Sequence, residues 1–160
     1  VTTTRRVGVI GTVGTIASGA YQRVAADLAP SCTLTCAACP GFVEFVDTRD
    51  VESDPVHVLA ERLLAPMRKA NVDTLVLGCT HYPLLARTIG DVMGPDVVLV
   101  SSAEETAFEV RACLGVTPEA ESPAARRVQF LTSGDVAVFR RLAARFLGPE
   151  VEHVEGWSWN

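Results

Sequence analysis

Thr74-Leu75-Val76-Leu77-Gly78-Cys79-Thr80-His81-Tyr82-Pro83 runs from an apolar stretch into a polar loop and on to a proline. The stretch 74–78 is apolar on both faces, the pattern of a strand buried centrally in a parallel sheet. Pro83 suits the first turn of a helix, which the following residues continue to about Met93. In open parallel sheets ligands lie beyond the carboxyl ends of the strands, at loops leading into helices. The loop holding Cys79, Thr80 and His81 has that position.

The same alternation extends in both directions. Upstream, 6–11 reads as a buried strand ending in the loop Thr12-Val13-Gly14-Thr15, from which a helix runs to about Leu28 and stops at Pro30. A second strand is predicted over 33–37, ended by Pro40-Gly41. Asp54-Pro55 predicts a helix start, with the acid as cap and proline at the first position. Leu59, Leu63, Leu64 and Met67 form the apolar stripe of that helix. Downstream, a strand is predicted over 97–100, and Ser102-x-x-Glu105 predicts a capping box for a helix carrying Ala107, Phe108 and Leu114. A surface loop over 117–125, a strand over 129–131, a helix from about 135 to 146 and a strand over 151–154 complete the series. The predicted class is α/β, a parallel sheet with flanking helices. One rim of that sheet then gathers Thr12 to Thr15, Cys39-Pro40 and Cys79-Thr80-His81.

Composition narrows the function. The 160 residues are 48% hydrophobic and 21% charged, an ordinary globular balance with room for a sizeable core. A net charge of −5 and pI near 5.2 give no global attraction to nucleic acid or anionic membranes. No apolar run approaches the roughly 18 residues of a membrane span, and the opening residues lack a signal-peptide core. Five unevenly spaced cysteines argue for reduced thiols in the cytoplasm over a disulfide scaffold.

Cys79 lies just ahead of a predicted helix, where the positive end of the dipole favours thiolate. His81 adds a polar neighbour that tunes the same thiol. Thr80 and the N–H groups of the first helical turn offer a site for a substrate carboxylate. The bland alternative is a small buried cysteine near a sheet end.

The ten residues Val76 to Leu85 resemble the second catalytic cysteine motif of glutamate racemases, in the aspartate/glutamate racemase family. Gly8-Val9-Ile10-Gly11-Thr12 with Thr15-Ile16-x-Ser18-Gly19-x-Tyr21, Ala38-Cys39-Pro40-x-Phe42-Val43 and Ala103-Glu104-Glu105-Thr106-Ala107 fit the same family in the same order. The resemblance implies a cofactor-independent racemase that uses neither metal nor pyridoxal phosphate. It would interconvert L- and D-glutamate for peptidoglycan, and hence for cell-wall biogenesis and cell shape. Inversion takes a proton from one face of Cα and returns one to the other, so two groups must exchange acid and base roles. The resemblance makes Cys79 one of them, assisted by His81, with Thr80, His81, Thr12 and Thr15 binding substrate. Asp47 stands where the family usually has Glu, so an assisting carboxylate there reaches one methylene less far. Ser101 replaces a common Asp.

The family's Asp-Ser-Gly loop and first catalytic cysteine, in an Asn-Thr motif, are not found here. The expectation is a second lobe over 1–100 carrying the Cys79 motif, and a segment over 101–160 that would complete the first lobe. Such a lobe would expose an apolar wall, open to pairing with another chain or to a homodimer. Cys39 is the best-placed second thiol, yet it reads as structural, and Cys113 in a helical stripe more so. Aspartate racemase is the nearest rival in substrate. Cys32-x-x-x-Cys36-x-x-Cys39 also has the spacing of an iron–sulfur site, though a strand would spread its thiols apart. A Cys–His hydrolase with Cys79 as nucleophile would need a base brought in from elsewhere, and His57 on a helix and His153 near the C-terminus read as surface residues.

Overall fold

A computed structural model describes residues 1–48, 50–115, 128–149, 151 and 153–159. The chain divides into two compact units, Val1–Gly115 and Val116–Asn160. In the first, β1 (Arg6–Gly11), β2 (Thr33–Ala38), β3 (Thr74–Leu77) and β4 (Val98–Ser101) form one parallel sheet in the order β2-β1-β3-β4. The predicted α/β class is what the chain adopts. Thr74, Leu75 and Leu77 of β3 are buried, as a strand flanked on both edges requires.

One face of the sheet carries the main core. Ile10, Leu75 and Leu77 pack against Val56, Ala60, Leu64 and Met67 of α4 (Asp54–Lys69), and Leu85 and Ile89 belong to the same cluster. Gly8 makes the close approach possible. A Cβ there would come within 2.8 Å of Met67 Sδ and of Leu75 Cδ1. The buried stripe of α4 is rotated from the predicted one, with Leu59 and Leu63 only partly covered. Its cap is also one residue earlier than predicted: the Ser53 side chain, not Asp54, receives the Val56 N–H.

Three more departures are local. The helix expected from Thr15 to Leu28 is two, α1 (Val13–Ala17) and α2 (Ala20–Leu28), broken at Gly19, whose φ of 66° is left-handed. Pro40-Gly41 ends β2 as predicted, but a helix the sequence reading missed, α3 (Phe42–Thr48), begins directly after it. The capping box does not form at Ser102. Ser101 caps α6 (Ser102–Cys113) through Glu104 N–H, and Ser102 Oγ donates to the Leu77 carbonyl at 2.7 Å. No residue of α6 is buried, and Phe108, Val110 and Cys113 are exposed, against the expectation of a structural Cys113 in a packed stripe.

At the opposite end of the sheet, Asp73 gathers the chain's start. Its carboxylate accepts from Thr2 Oγ1 at 2.6 Å, Thr3 N at 2.8 Å and Thr4 N at 2.6 Å.

In the second unit β5 (Phe130–Thr132) pairs in parallel with β6 (Val154–Gly156), and α7 (Val136–Leu147) joins them. Asp135 Oδ1 caps α7 by accepting from Val138 N at 2.8 Å. The final strand starts three residues later than predicted, and the predicted loop over 117–125 lies outside the described residues. No helix among the described residues is long and apolar enough to cross a membrane.

Candidate active site

Parallel pairing fixes the rim. Ile10 is level with Leu77, and Gly78 N donates to the Ile10 carbonyl at 2.8 Å. Cys39 N donates to the Gly11 carbonyl at 2.9 Å. The loops after β1, β2 and β3 therefore leave the sheet side by side, carrying Thr12, Cys39 and Cys79. Gly78 must be glycine here: a Cβ would stand 2.9 Å from both the Ile10 carbonyl and Tyr21 Oη.

Cys79, Thr80 and His81 converge on one imidazole nitrogen. Cys79 Sγ is 4.0 Å and Thr80 Oγ1 3.4 Å from His81 Nδ1. On the other side of the ring, His81 Nε2 is 3.6 Å from Asp47 Oδ1 on α3. That oxygen is sealed from solvent and has no hydrogen-bond partner, while the Asp47 side chain as a whole is 40% exposed. The contact is thus an ion-pair distance and not a hydrogen bond. Thiol, imidazole and carboxylate form a row along the rim.

The helix after the motif differs from expectation. Tyr82–Leu85 is a 3-10 turn, and α5 (Ala86–Met93) follows it. Tyr82 N donates to the Cys79 carbonyl and Leu84 N to the His81 carbonyl, each at 3.1 Å. Pro83 has no N–H to give, so Thr80 Oγ1, not the turn's own amides at 82 to 84, is the polar group exposed beside Cys79. The dipole of α5 starts seven residues after Cys79 and fades within its first turn. His81 is the thiol's nearer electrostatic partner.

Thr12 and Thr15 form a pair of their own. Their hydroxyls are 2.9 Å apart, and Thr12 Oγ1 also accepts from Thr15 N as the cap of α1. Two hydroxyls share one proton in that bond, which leaves one proton to donate outward.

Two further residues border the site. Tyr82 is fully buried, its phenol donating to the Cys39 carbonyl at 3.0 Å and its ring meeting Phe42 edge-on at 5.4 Å. Tyr21 lies against Gly78. For Tyr82, an aromatic with a polar tip inside a loop motif was the readable signal.

The remaining thiols stand apart. Burial pushes the Cys39 thiol up to about 12 and raises that of Cys36. Cys32, Cys36 and Cys39 sit before, within and after β2, and among the described residues no three His, Cys, Asp or Glu side chains group to hold a metal. His57 lines a small polar cleft with Glu52, Arg87 and Asp91, and His153 is exposed in the second unit.

Comparison with known proteins is consistent throughout. The family described as Asp/Glu/Hydantoin racemase matches residues 2–110. Glutamate racemase of Beutenbergia cavernae is 50% identical over 93% of this chain and 54% of its own length. That of Corynebacterium diphtheriae is 48% identical over 99% of this chain and 60% of its own length. The chain thus spans little more than half the length of these curated relatives. Among solved structures, the glutamate racemase isoform RacE1 of Bacillus anthracis superposes with a TM-score of 0.85 at 36% identity, covering 100% of this chain and 59% of the other. Glutamate racemase of Francisella tularensis in complex with D-glutamate gives 0.81 at 26% identity, covering 96% and 58%.

Proposed function

Because the chain belongs to the Asp/Glu/Hydantoin racemase family, we propose that it forms one side of the active site of a glutamate racemase. The observation that carries this reading is the row Cys79–His81–Asp47 on the rim of a racemase-family sheet.

In this mechanism the Cys79 thiolate takes the α-proton of glutamate, leaving a planar carbanion that a second acid protonates on the opposite face. With Nε2–H directed at Asp47, the His81 Nδ1 lone pair faces Sγ, draws off the proton that Cys79 has taken and passes it to solvent, from which the opposite acid is recharged. Asp47 holds that tautomer. Thr80 and the spare proton of the Thr12–Thr15 pair hold the substrate carboxylate. Cys39 is unsuited to the opposite face, being buried and protonated, so the two-base reading assigns that role to a group outside these residues.

The substrate is L- and D-glutamate, a reading supported by the Francisella relative solved in complex with D-glutamate, and aspartate is the alternative. The mechanism calls for neither metal nor pyridoxal phosphate. A cytoplasmic place, a role in peptidoglycan synthesis and a homodimer go with the same reading.

The test is incubation of the intact protein carrying this chain with L-glutamate in deuterated water. Expected are D-glutamate and deuterium at Cα, both abolished in Cys79→Ser. Absence of D-glutamate from the unmutated protein sinks the proposal.

A further inference from the structure

We propose that Tyr82 is a positioning residue that holds Cys79 against His81, an assignment that rests on the reading of that pair above. Tyr82 is joined to three pieces of the rim at once. Its N–H binds the Cys79 carbonyl at 3.1 Å, and its hydroxyl binds the Cys39 carbonyl at 3.0 Å at the end of β2. Its ring packs at 80° on Phe42, the first residue of the helix that carries Asp47. His81 is the residue before it in sequence.

The thiol–imidazole distance makes such a strut necessary. At 4.0 Å, Sγ and Nδ1 are at the limit of a sulfur hydrogen bond, so a few tenths of an ångström of slack in the loop ends the contact. A phenylalanine would fill the same buried space and keep the contact with Phe42. The hydroxyl adds one thing only, a bond from the Cys79 loop to the Cys39 loop. Burial raises the phenol above its ordinary range, with smaller contributions from Cys39, Cys79 and Glu44, so the proton stays on and the bond is donated throughout the working pH range.

The experiment is a double-mutant cycle read at Cys79. Wild type, Tyr82→Phe, His81→Asn and the double variant are treated as full chains with iodoacetamide at pH 8, and modification of the Cys79 peptide is followed by mass spectrometry. His81→Asn is expected to slow modification by about threefold or more, because the thiolate loses its partner. Tyr82→Phe is expected to slow it by about threefold in the wild-type background and by a negligible factor once His81 is gone. Equal slowing in both backgrounds overturns the proposal and leaves the Cys79–His81 pair standing. No effect of His81→Asn removes the pair itself, and the role of Tyr82 with it. Should Tyr82→Phe fail to fold, Phe42→Leu replaces it. That variant keeps the phenol but loosens its seat, and the same non-additivity is required of it.

Discussion

Asp47 Oδ1 stands 3.6 Å from His81 Nε2, longer than a hydrogen bond, although that oxygen is shut away from solvent. A carboxylate oxygen denied both water and a close donor is under-satisfied. One added methylene closes the gap. Asp47→Glu is expected to raise the rate of Cys79 modification by iodoacetamide about twofold, and Asp47→Asn to lower it by a similar factor or more. Identical rates in all three proteins would show that the carboxylate does not act through His81.

Asp73 carries the clearest pH dependence. Its hydrogen bond from Thr2 is the largest effect, and with those from Thr4 and Thr3 it outweighs the opposing effect of burial and holds the carboxyl well below the usual carboxylate range. A depressed folded-state value stabilises above the unfolded value near 3.8 and loses that stabilisation as pH falls through the folded value. Asp73→Asn should therefore melt below wild type at pH 7, with the gap narrowing as pH drops well under 3.8. Thermal unfolding at pH 7, 4 and 2.5 checks this. Solvent beside the group keeps the effect modest.

Cysteine reactivity should divide by burial. At pH 8 Cys113, exposed, and Cys79, half-buried, are expected to react with iodoacetamide well before Cys39, which is sealed and raised to about 12. The sign for stability is opposite to that of Asp73. The protonated Cys39 costs nothing below the ordinary thiol value of 9.0, and stability then falls as pH climbs from there towards 12, because only the unfolded chain ionises. Peptide mapping after brief labelling distinguishes the thiols. Early labelling of Cys39 in folded protein would contradict its burial.

Gly78→Ala tests the packing beneath the motif. The new methyl would meet the Ile10 carbonyl, which is backbone and cannot swing aside, and Tyr21 Oη, which can. The expected cost is about 1–3 kcal/mol in urea unfolding. A loss under about 0.5 kcal/mol would show that β1 and β3 part easily at this level.

The sheet was legible in the sequence because parallel strands buried on both faces read as continuous apolar runs, and 74–77 is such a run. Cys79, Thr80 and His81 were legible for the same reason, since the strand's end fixes where its loop must stand. Asp47 could be named but not placed: α3 begins directly after Pro40-Gly41, where breaker residues hide a helix start. The caps at Ser53 and Ser101 were each missed by one residue. Adjacent side chains able to cap, Ser53 with Asp54 and Ser101 with Ser102, compete for the helix start, and tertiary contacts decide, as when Ser102 turns away to Leu77. Tyr82 showed its polar tip in the sequence but not its partner, because a carbonyl 43 positions away leaves no local trace.

The clasp between Asp73 and Thr2 to Thr4 also gives the molecule an orientation that can be used. It pins the exposed Val1 at the amino ends of the strands, while Cys79 stands at their carboxyl ends. The six residues of β1 separate those two levels by about 20 Å. Whatever is joined to Val1, natural chain or reporter, therefore leaves this unit a sheet's height from the thiol.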